Sequence, residues 1–377
     1  MCRALKQQGI EVLLVTTDAD LNEEIINHQI ADRHSPIPTI YKEIPTIIFR
    51  KEWGNSFKYS RSMASWLDRH VADFDLVHIH AVFNHSCLAA ARACRKRGVA
   101  YVVRPLGTLD PWSMRQKSWR KSLFWYSVGK TMLTSAAAIH YTAAGEKEGA
   151  EKSLSLCRGA VIPLGVDLLA LQASPDENTF RESCPSLDAH PYVLVLSRLH
   201  SKKGLDVLIE AFLSLVERPE YAMWRLVLAG EGPDDYELSL RRLVAAHGAA
   251  DTVIFVGWLE GKAKAAALRD AALLALPSYH ENFGLCVMEA MACGVPVLVS
   301  PHVNLASDIE AAGAGWIVDI NKHAIEAALA EGLSSNVERL RRGRAGNKLA
   351  TEFAWPNIAQ RLAHLYACCS TSAIRPQ

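Results

Sequence analysis

The strongest constraint on the fold comes from residues 278–300, which read SYHENFGLCVMEAMACGVPVLVS. A polar turn with Gly284 precedes apolar residues at helical spacing, and this run ends at Gly294, a residue type that commonly terminates helices. The apolar runs 271–276 and 295–299 on either side are typical of buried strands. The order strand, turn, helix, strand predicts one βαβ unit of a parallel sheet.

The polar turn lies where such sheets bind ligands, between the carboxyl end of a strand and the start of a helix. The free amide groups there favour an anion, most often a phosphate. Glu281 and Glu289 are eight residues apart, on the order of 10 Å along a helix. This separation is too long for carboxylates that share one proton or one metal ion, but it suits the two ends of an elongated ligand. The alternative is that Glu281 caps the helix electrostatically and that Glu289 lies on a solvated face.

The residues around these two acids resemble a family signature, E-x7-E in a frame of Pro, Ser and Gly: Pro277-Ser278, Glu281-Asn282-Phe283-Gly284, Glu289-Ala290 and Gly294-Val295-Pro296-Val297. The signature is that of glycosyltransferase family 4, retaining enzymes with the GT-B fold. This resemblance implies that Glu281 contacts the transferred sugar and Glu289 the ribose hydroxyls of a nucleotide-sugar donor. It also implies a donor-binding turn made of His280, Asn282, Phe283, Gly284 and Leu285.

Length and composition argue against several other classes. The chain has 377 residues, which favours two domains, and a net charge of +1, which argues against nucleic acid as a partner. Its nine cysteines show no metal-ligand spacing and are typical of reduced thiols in a cytosolic protein. No apolar run reaches the roughly 20 residues that span a bilayer, and the N-terminus lacks a secretory apolar segment. We therefore expect a cytoplasmic protein.

The first residues depart from the family pattern. Residues 2–8 predict a helix that ends at Gly9, residues 11–15 a strand, residues 21–45 a long polar loop and residues 46–49 a short strand. Members of the family begin with an earlier strand and a Gly-rich loop near the donor phosphates, and neither precedes the helix here. Truncation, a misassigned start and a replacement elsewhere in the chain are the open explanations.

Two histidines at a predicted strand end are the first acceptor-side candidates. Residues 75–80 read DLVHIH and predict a strand, in which alternation places His78 and His80 on one face. They either point towards an acceptor or hydrogen-bond neighbouring loops. Without a third ligand at a suitable spacing, they do not predict a metal site.

Further acceptor-side candidates follow the predicted strand 100–104. Residues 104–112, RPLGTLDPW, resemble a subgroup of the family with the pattern P-x-G-x-L-x-P-W. They offer Arg104, Asp110 and Trp112 as acceptor-side residues, unless the stretch is only a structural turn. Leu106 stands where many relatives have a histidine near the reacting sugar, so that role is not transferred to this chain.

Residues 114–133 are both basic and aromatic, with Arg115, Lys117, Arg120 and Lys121 among Trp119, Phe124, Trp125 and Tyr126. A helix of this composition lies on a membrane surface, or packs against a core with a solvated basic face. Peripheral contact with the cytoplasmic face of a membrane would suit an acceptor carried on a polyprenyl lipid.

A second strand-end loop carries two fixed cations. Residues 197–204 read SRLHSKKG, between the predicted strand 192–196 and a helix. Arg198 and Lys203 stand beside the free amide groups of that helix and suffice to hold a diphosphate and favour its departure. They match the family pattern G-R-L-x-x-x-K-G, with Ser197 at the first glycine, which implies a pyrophosphate role. The alternative is a pair of surface cations.

Two further turns in the second half are expected to meet the donor. Gly230 and Gly232 follow the strand 224–229 and allow close backbone approach to a ligand, although Asp235 leaves a dinucleotide fingerprint incomplete. The strand that begins at residue 253 enters a turn that, by the resemblance, receives the nucleotide base on its backbone. The residues of that turn are Val256, Gly257, Trp258 and Leu259.

The alternation of strands and helices in both halves predicts an α/β chain with two doubly wound, Rossmann-like domains that face a central cleft, the GT-B fold. Residues 1–170 are the acceptor domain, the polar stretch 171–190 is a linker, and residues 191–352 are the donor domain. Residues 353–377 form a last helix that, by the resemblance, crosses back to the first domain.

The resemblance implies a retaining glycosyltransferase that moves a hexose from a nucleotide sugar to an acceptor. We expect UDP-glucose or another UDP-hexose as the donor, and the basic aromatic segment favours a glycan or lipid-linked acceptor in polysaccharide assembly. Arg198, Lys203 and Glu281 are its predicted catalytic residues. No D-x-D motif lies near the donor residues, so neither a metal nor another cofactor is expected. A sugar-nucleotide epimerase of the same fold and a non-catalytic nucleotide-sugar-binding protein are the alternatives.

Overall fold

The computed structural model describes residues 1–19, 37–54, 57–110, 113–114, 118–172 and 179–373. The chain divides into two compact units. The first unit comprises Met1–Pro163 and Trp355–Gln377, and the second comprises Leu164–Ala354. Each unit is built on parallel β-sheet with helices packed against it, which confirms the predicted α/β class.

The strands of the first unit form two sheets. They are β1 (Leu14–Thr17), β2 (Ile37–Tyr41), β3 (Ile44–Phe49), β4 (Leu76–His80), β5 (Ala100–Arg104), β6 (Ala138–Tyr141) and β7 (Gly159–Val161). The first three pair in the order β1-β3-β2, and the last four form a parallel sheet in the order β4-β5-β6-β7. Strand β5 is buried along its whole length, as expected of a parallel strand covered on both faces.

The hairpin of β2 and β3 corrects one prediction. The sequence predicts a loop over residues 21–45, but residues 37–41 pair antiparallel with β3. Lys42 and Glu43 form the turn with φ of 48° and 69°, in the left-handed region that tight hairpin turns use. Neither residue is Gly, Asn or Asp, so the sequence carries no turn signal there. Residues 21–36 of the predicted loop lie outside the described part of the chain.

Helices cover the sheets of the first unit. They are α1 (Cys2–Gln7), α2 (Arg61–His70), α3 (His85–Arg97), α4 (Ser118–Phe124), α5 (Lys130–Thr134) and α6 (Ala144–Leu154). A π-helical turn, Trp125–Gly129, joins α4 to α5. Ser60 caps the start of helix α2: its hydroxyl accepts a hydrogen bond from the Met63 amide at 3.3 Å and so satisfies one free N–H group.

The second unit has one parallel sheet in which the strand order reverses. Its strands are β8 (Tyr192–Leu196), β9 (Arg225–Ala229), β10 (Val253–Gly257), β11 (Leu273–Leu276), β12 (Val297–Val299) and β13 (Gly315–Ile317). Their spatial order is β10-β9-β8-β11-β12-β13. The chain therefore builds outwards from β8 in one direction and from β11 in the other. The boundary between β8 and β11 is a topological switch point, where open α/β sheets bind ligands.

Helices lie on both faces of this sheet. They are α7 (Leu168–Gln172), α8 (Thr179–Ser183), α9 (Leu205–Val216), α10 (Asp234–Ala246), α11 (Gly261–Asp270), α12 (Leu285–Ala292), α13 (Ala306–Ala312), α14 (Lys322–Ser334) and α15 (Asn336–Glu352). One buried cluster joins the sheet to α11 and α12, and another joins it to α9 and α14. The unit is thus a three-layer α/β/α structure.

The stretch predicted as a linker differs from the structure. Among the described residues of 171–190, Leu171, Phe180, Cys184 and Leu187 are buried in the core of the second unit. The boundary between the units falls earlier, between Pro163 and Leu164. A few apolar residues bury this otherwise polar stretch against the second unit. They are too widely spaced to form a periodic pattern, so the sequence predicted a linker.

The last helix, α16 (Trp355–Ala373), belongs to the first unit, as the resemblance implies. Its residues Ile358, Ala359 and Leu362 are buried against Leu5 of α1 and Ile162. The Arg361 guanidinium donates to the Val161 carbonyl at 2.9 Å. The helix is therefore fixed by apolar packing to the part of the chain that follows β7.

Candidate functional site

The predicted phosphate-binding loop follows β8 and is packed against the loop that follows β11. A short helical turn, Ser201–Lys203, ends at Gly204, where φ is +64° and an added Cβ would lie 2.4 Å from the Pro277 carbonyl oxygen. The Tyr279 amide donates to the Lys202 carbonyl at 2.8 Å. Glycine at position 204 thus allows the two loops to touch at the switch point of the sheet.

The two loops bring predicted catalytic residues together. The Lys203 ammonium donates to the Glu281 carboxylate in a mostly buried ion pair, with 10% and 19% of the two side chains exposed. The alternative that Lys203 is a surface cation is therefore wrong. The charge of Lys203 is thus compensated by Glu281, and a phosphate at this loop would have to compete with that carboxylate. Arg198 lies on the same loop, with its side chain exposed.

The backbone of Glu281 is held by a neighbour that the sequence did not indicate. Its amide donates to the His302 carbonyl and its carbonyl accepts from the Asn304 amide, both at 3.1 Å. The Asn304 side chain donates to the Asn282 carbonyl at 2.9 Å. The loop after β12 thus fixes the position of the Glu281 turn, and no local motif in residues 302–304 signals this role.

Helix α12 starts at the end of this turn. Gly284 precedes it with φ of +79°, and its carbonyl accepts the first helical hydrogen bonds from Val287 and Met288. The amides of the first turn therefore lie beside Glu281, as the sequence predicts for an anion-binding end. Phe283 is buried against Phe353, with ring centroids 6.2 Å apart, whereas the Leu285 side chain is partly exposed.

The second acid of the signature is also paired. The Lys264 ammonium of α11 donates to the Glu289 carboxylate at 2.7 Å, and 13% of the Glu289 side chain is exposed. A solvated face residue, the alternative from the sequence, does not fit this burial. Cys286 lies near both acids. Burial, followed by the charge of Glu281, raises the pKa of its thiol to about 12, so this thiol stays protonated.

The glycines after β9 allow a backbone contact that the sequence did not predict. An added Cβ would lie 1.8 Å from the Ser197 carbonyl oxygen at Gly230 and 1.9 Å from the Leu199 carbonyl oxygen at Gly232. The Leu199 amide also donates to the Glu231 carbonyl at 2.8 Å. The glycines are therefore needed because another loop of the same unit approaches their backbone, and close approach of a ligand is not required to explain them.

The predicted base-binding turn follows β10. The Gly257 carbonyl accepts from the Gly230 amide at 2.7 Å, which ties this turn to the loop after β9. Val256 and Leu259 pack partly against the core, and the Trp258 side chain is 58% exposed. The four residues expected at the base therefore lie at the same carboxyl edge as the phosphate-binding loop. His280, in the turn after β11, is also partly accessible there.

The histidines of the first unit meet residues that are remote in sequence. The Nδ1 atom of His78 is 2.6 Å from the Tyr366 hydroxyl of α16, and its Nε2 atom is 3.3 Å from Nδ1 of His140. The His140 Nε2 donates to the Ile162 carbonyl at 2.7 Å. Both ring nitrogens of His78 are thus occupied, which supports the structural alternative for that residue.

Burial keeps this histidine cluster neutral. Loss of hydration lowers the pKa of His80 to about 3 and that of His140 to about 4, and the charge of Arg104 adds to both effects. The pKa of His78 is lowered well below its usual value by the same burial and by the neighbouring histidines. No pattern in the sequence singled out His140 or Tyr366, because their contribution depends on how β6 and α16 pack.

The other acceptor-side candidates lie after β5. Arg104 is buried at the end of that strand, and burial lowers the pKa of its guanidinium. Asp110 is partly exposed, and Trp112 lies outside the described residues. The Gly107 amide donates to the buried Glu146 carboxylate at 2.6 Å, and this contact ties the loop after β5 to helix α6.

The described part of the basic aromatic segment forms α4, the π-helical turn and α5, whereas Arg115 and Lys117 lie outside the described residues. Its large side chains Trp119, Leu123 and Tyr126 are 68%, 66% and 83% exposed. Trp125 is buried, and the Lys121 ammonium donates to the Ser113 carbonyl at 2.6 Å. No helix in the described part of the chain is long and apolar enough to cross a bilayer. Across the same residues, no group of three or more His, Cys, Asp or Glu side chains could hold a metal ion.

Two family models match the chain. One, described as Glycosyltransferase Family 4, matches residues 1–168, and the other, described as Glycosyl transferases group 1, matches residues 176–349. The D-inositol 3-phosphate glycosyltransferase of Corynebacterium efficiens is 31% identical over 221 residues, which are 57% of this chain and 52% of that protein. The match thus spans about half the length of this curated relative.

Solved structures extend the likeness to nearly the whole chain. The sucrose-phosphate synthase of Thermosynechococcus elongatus has a TM-score of 0.77 at 21% identity, over 98% of this chain and 92% of that one. Anabaena HepE, solved in complex with UDP and glucose, has a TM-score of 0.75 at 18% identity, over 97% and 95% of the two chains. At these identities the likeness concerns the fold, and it confirms the GT-B class.

Proposed function

We propose that this chain, which belongs to glycosyltransferase family 4, transfers a hexose from UDP-glucose to a glycan or lipid-linked acceptor and retains the anomeric configuration. The second unit would hold the donor and the first unit the acceptor. Fold neighbours support a nucleotide-sugar donor, since HepE is solved with UDP and with UDP-glucose. The observation that carries the proposal is the buried Lys203–Glu281 pair at the switch point.

The pair suggests how the donor binds. The donor diphosphate takes the Lys203 ammonium away from Glu281, because a diphosphate carries more negative charge than one carboxylate. At an effective dielectric near 20, a charge pair at 4 Å is worth about 4 kcal/mol, so one anion replaces another at little net cost. Glu281 is then free to accept hydrogen bonds from the sugar hydroxyls, in the role that the family resemblance gives it.

The leaving group would be stabilised by fixed positive charge. Lys203, Arg198 and the first amides of α12 are the donors available to the departing diphosphate. Its departing oxygen then takes the proton of the acceptor hydroxyl, which attacks from the same face of the sugar. These groups replace the divalent metal that other transferases use, so the reaction should proceed in excess chelator. Complete loss of turnover that added metal restores would contradict this part of the proposal.

The donor is tested first by binding. Melting temperatures are measured with UDP-glucose, UDP-galactose, GDP-mannose and ADP-glucose, since a ligand at 100 times its Kd stabilises by about 2.7 kcal/mol. UDP-glucose should give the largest increase, and Lys203→Ala should abolish it. The products from UDP-glucose alone then test the epimerase alternative, because a transferase forms no epimer. Lack of any increase with all four nucleotide sugars would contradict the proposal.

Membrane contact through the basic aromatic segment is part of the proposal. Trp119 and Leu123 are one helical turn apart and exposed, and Tyr126 is more exposed than either. Such anchors in a segment rich in Lys and Arg suit an anionic lipid surface. Flotation with phosphatidylglycerol vesicles should be lost when Trp119 and Tyr126 are changed to Ser, and exposed Trp53 in the same unit provides a control Trp→Ser variant. Equal flotation of all variants would exclude this contact.

A further inference from the structure

Arg104 is a buried cation for which the described part of the chain supplies no partner. It is 8% exposed, its Nε atom is fully buried, and its guanidinium forms neither a hydrogen bond nor an ion pair with any described residue. Folded proteins seldom leave a buried charge uncompensated, because its lost hydration costs several kcal/mol. The arrangement therefore indicates a group that joins Arg104 from outside the chain.

The place of Arg104 in the fold is one where ligands bind. It is the last residue of β5, paired in register with His80 at the end of β4, at the carboxyl edge of a parallel sheet. The loops beside it contain Ala81 and Leu106 with φ of 80° and 59°, a strained conformation for residues other than glycine. Strained backbone of this kind concentrates at functional sites.

The neighbours of Arg104 do not cancel its charge. Burial keeps His78, His80 and His140 neutral, and it raises the pKa of Tyr366, so its hydroxyl stays protonated. The one carboxylate that acts on Arg104 is that of Glu146. Its oxygens already accept hydrogen bonds from the Gly107 amide and from the Thr142 amide and hydroxyl, at 2.6, 2.7 and 2.8 Å. The remaining polar groups are donors or neutral, which suits a bound anion.

We infer that the carboxyl edge of β4 and β5 binds a phosphate monoester through Arg104, and that the acceptor carries this group. The inference rests on the proposed transferase function, since it names the chemistry of the acceptor. A guanidinium fork matches two phosphate oxygens, which a lysine cannot do. The phosphate belongs either to a soluble sugar phosphate or to a lipid.

The test uses the full chain with saturating UDP, so that phosphate cannot report on the proposed donor site. Melting temperature is followed against inorganic phosphate, glucose 6-phosphate and glucose, at ionic strength matched with sodium chloride. We expect both phosphates, but not glucose, to raise the melting temperature. In Arg104→Gln, the phosphate concentration that gives half of this shift should be at least about tenfold higher. Arg69→Gln, which removes an exposed positive charge from the same unit, is the matched control.

A second readout separates this role from a structural one. Without ligand, Arg104→Gln should melt at or above the wild-type temperature, because it removes an uncompensated buried charge, whereas loss of a structural arginine lowers it. If Arg104→Gln fails to fold, Arg104→Lys serves to measure the phosphate response, which should be weaker than that of the wild type because a lysine cannot contact two phosphate oxygens as a fork. Equal phosphate responses in wild type and the variant, or no response in wild type, would overturn the inference.

The same variants distinguish the two sources of the phosphate, a soluble sugar phosphate and a lipid. Glucose 6-phosphate binding that depends on Arg104 supports a soluble acceptor, and flotation with phosphatidic acid vesicles that depends on Arg104 supports a lipid one. Dependence in neither arm overturns the inference. The melting shift with UDP reports on the donor site, so Arg104→Gln should leave it unchanged. A chain that binds phosphate through Arg104 but not UDP would refute the proposed function alone.

Discussion

The two polar clusters of the molecule lie at the carboxyl edges of parallel sheets, but they balance charge in opposite ways. In the second unit, Lys203 is paired with Glu281, and Lys264 with Glu289. In the first unit, Arg104 is buried without a pair among the described residues, beside neutral histidines. A cation that is already paired with a carboxylate has to leave that carboxylate when an anionic ligand binds. A buried cation without such a pair can accept an anion directly.

The two clusters also hold their loops differently. In the second unit, backbone meets backbone: Gly230 and Gly232 lie against the loop after β8, and main-chain hydrogen bonds link the loops. In the first unit, one buried side chain, Glu146, ties the loop after β5 to the start of α6. The cluster of the second unit is thus part of a continuous main-chain framework, whereas in the first unit one carboxylate links the loop after β5 to the start of α6.

The largest expected effect is that of removing Lys203. Lys203→Ala takes away the cation proposed for the leaving group, so turnover of UDP-glucose should fall at least about a hundredfold. It also leaves Glu281 as a mostly buried, unpaired carboxylate, which costs about 3 kcal/mol of stability. Initial rates measure the change in turnover, and urea unfolding measures the change in stability. Lys202→Ala, which removes a positive charge one residue away, is the control.

The double variant Lys203→Ala/Glu281→Ala separates stability from turnover. Removing both partners should recover most of the lost stability, because no unpaired charge is left, while turnover stays low. If the double variant is as unstable as Lys203→Ala, the burial of Glu281 is not the cause. If Lys203→Ala has the turnover rate of the wild type, the Lys203–Glu281 pair has only a structural role, and the difference in charge balance from Arg104 does not reflect function.

The next effect concerns the single carboxylate that holds the first unit's loop. Glu146→Gln keeps the size of the side chain but turns one acceptor oxygen into a donor facing N–H and O–H groups. The free energy of unfolding should fall by about 2 kcal/mol, the usual cost of an unsatisfied buried group. Urea midpoints measure it, with exposed Glu148→Gln on the same helix as the control. An equally small change in both variants would show that the loop is held by other contacts.

The β11-α12-β12 unit was predictable from the sequence because its signals are local. An apolar run, a Gly-containing turn and helical spacing occur within thirty residues, and the structure places β11, α12 and β12 there. The pairing of Lys203 with Glu281, 78 positions apart, was not predicted, because the sequence assigned both residues to the donor site but gave each of them a ligand group as its partner. Strand alternation and loop position were enough to place both at one sheet edge.

The rest depended on packing that a single sequence does not display. His78 meets Tyr366 across 288 positions because α16 returns to the first unit, and no local pattern pairs them. The hairpin turn at Lys42 and Glu43 contains none of the residue types that favour tight turns, so the sequence predicted a loop there. Gly230 and Gly232 carried a correct signal of close approach, but the sequence could not tell a ligand from a neighbouring backbone.

The last expected effect is a pH dependence confined to the first unit's cluster. The pKa of His140 is about 4 in the folded protein because of burial, against 6.5 when unfolded. Between these values the unfolded chain binds the proton and the folded chain does not, so stability falls as pH drops from about 6.5 towards 4. One histidine contributes a slope of up to about 1.4 kcal/mol per pH unit.

His140→Asn should therefore flatten the decline of melting temperature between pH 7 and pH 5. The substitution also removes the hydrogen bond to the Ile162 carbonyl, which lowers stability at every pH, so the slope and not the level is compared. Exposed His247→Asn in the second unit is the control and should leave the slope unchanged. Parallel curves for wild type and His140→Asn would mean that the cluster accepts protons without cost, and that burial does not keep it neutral.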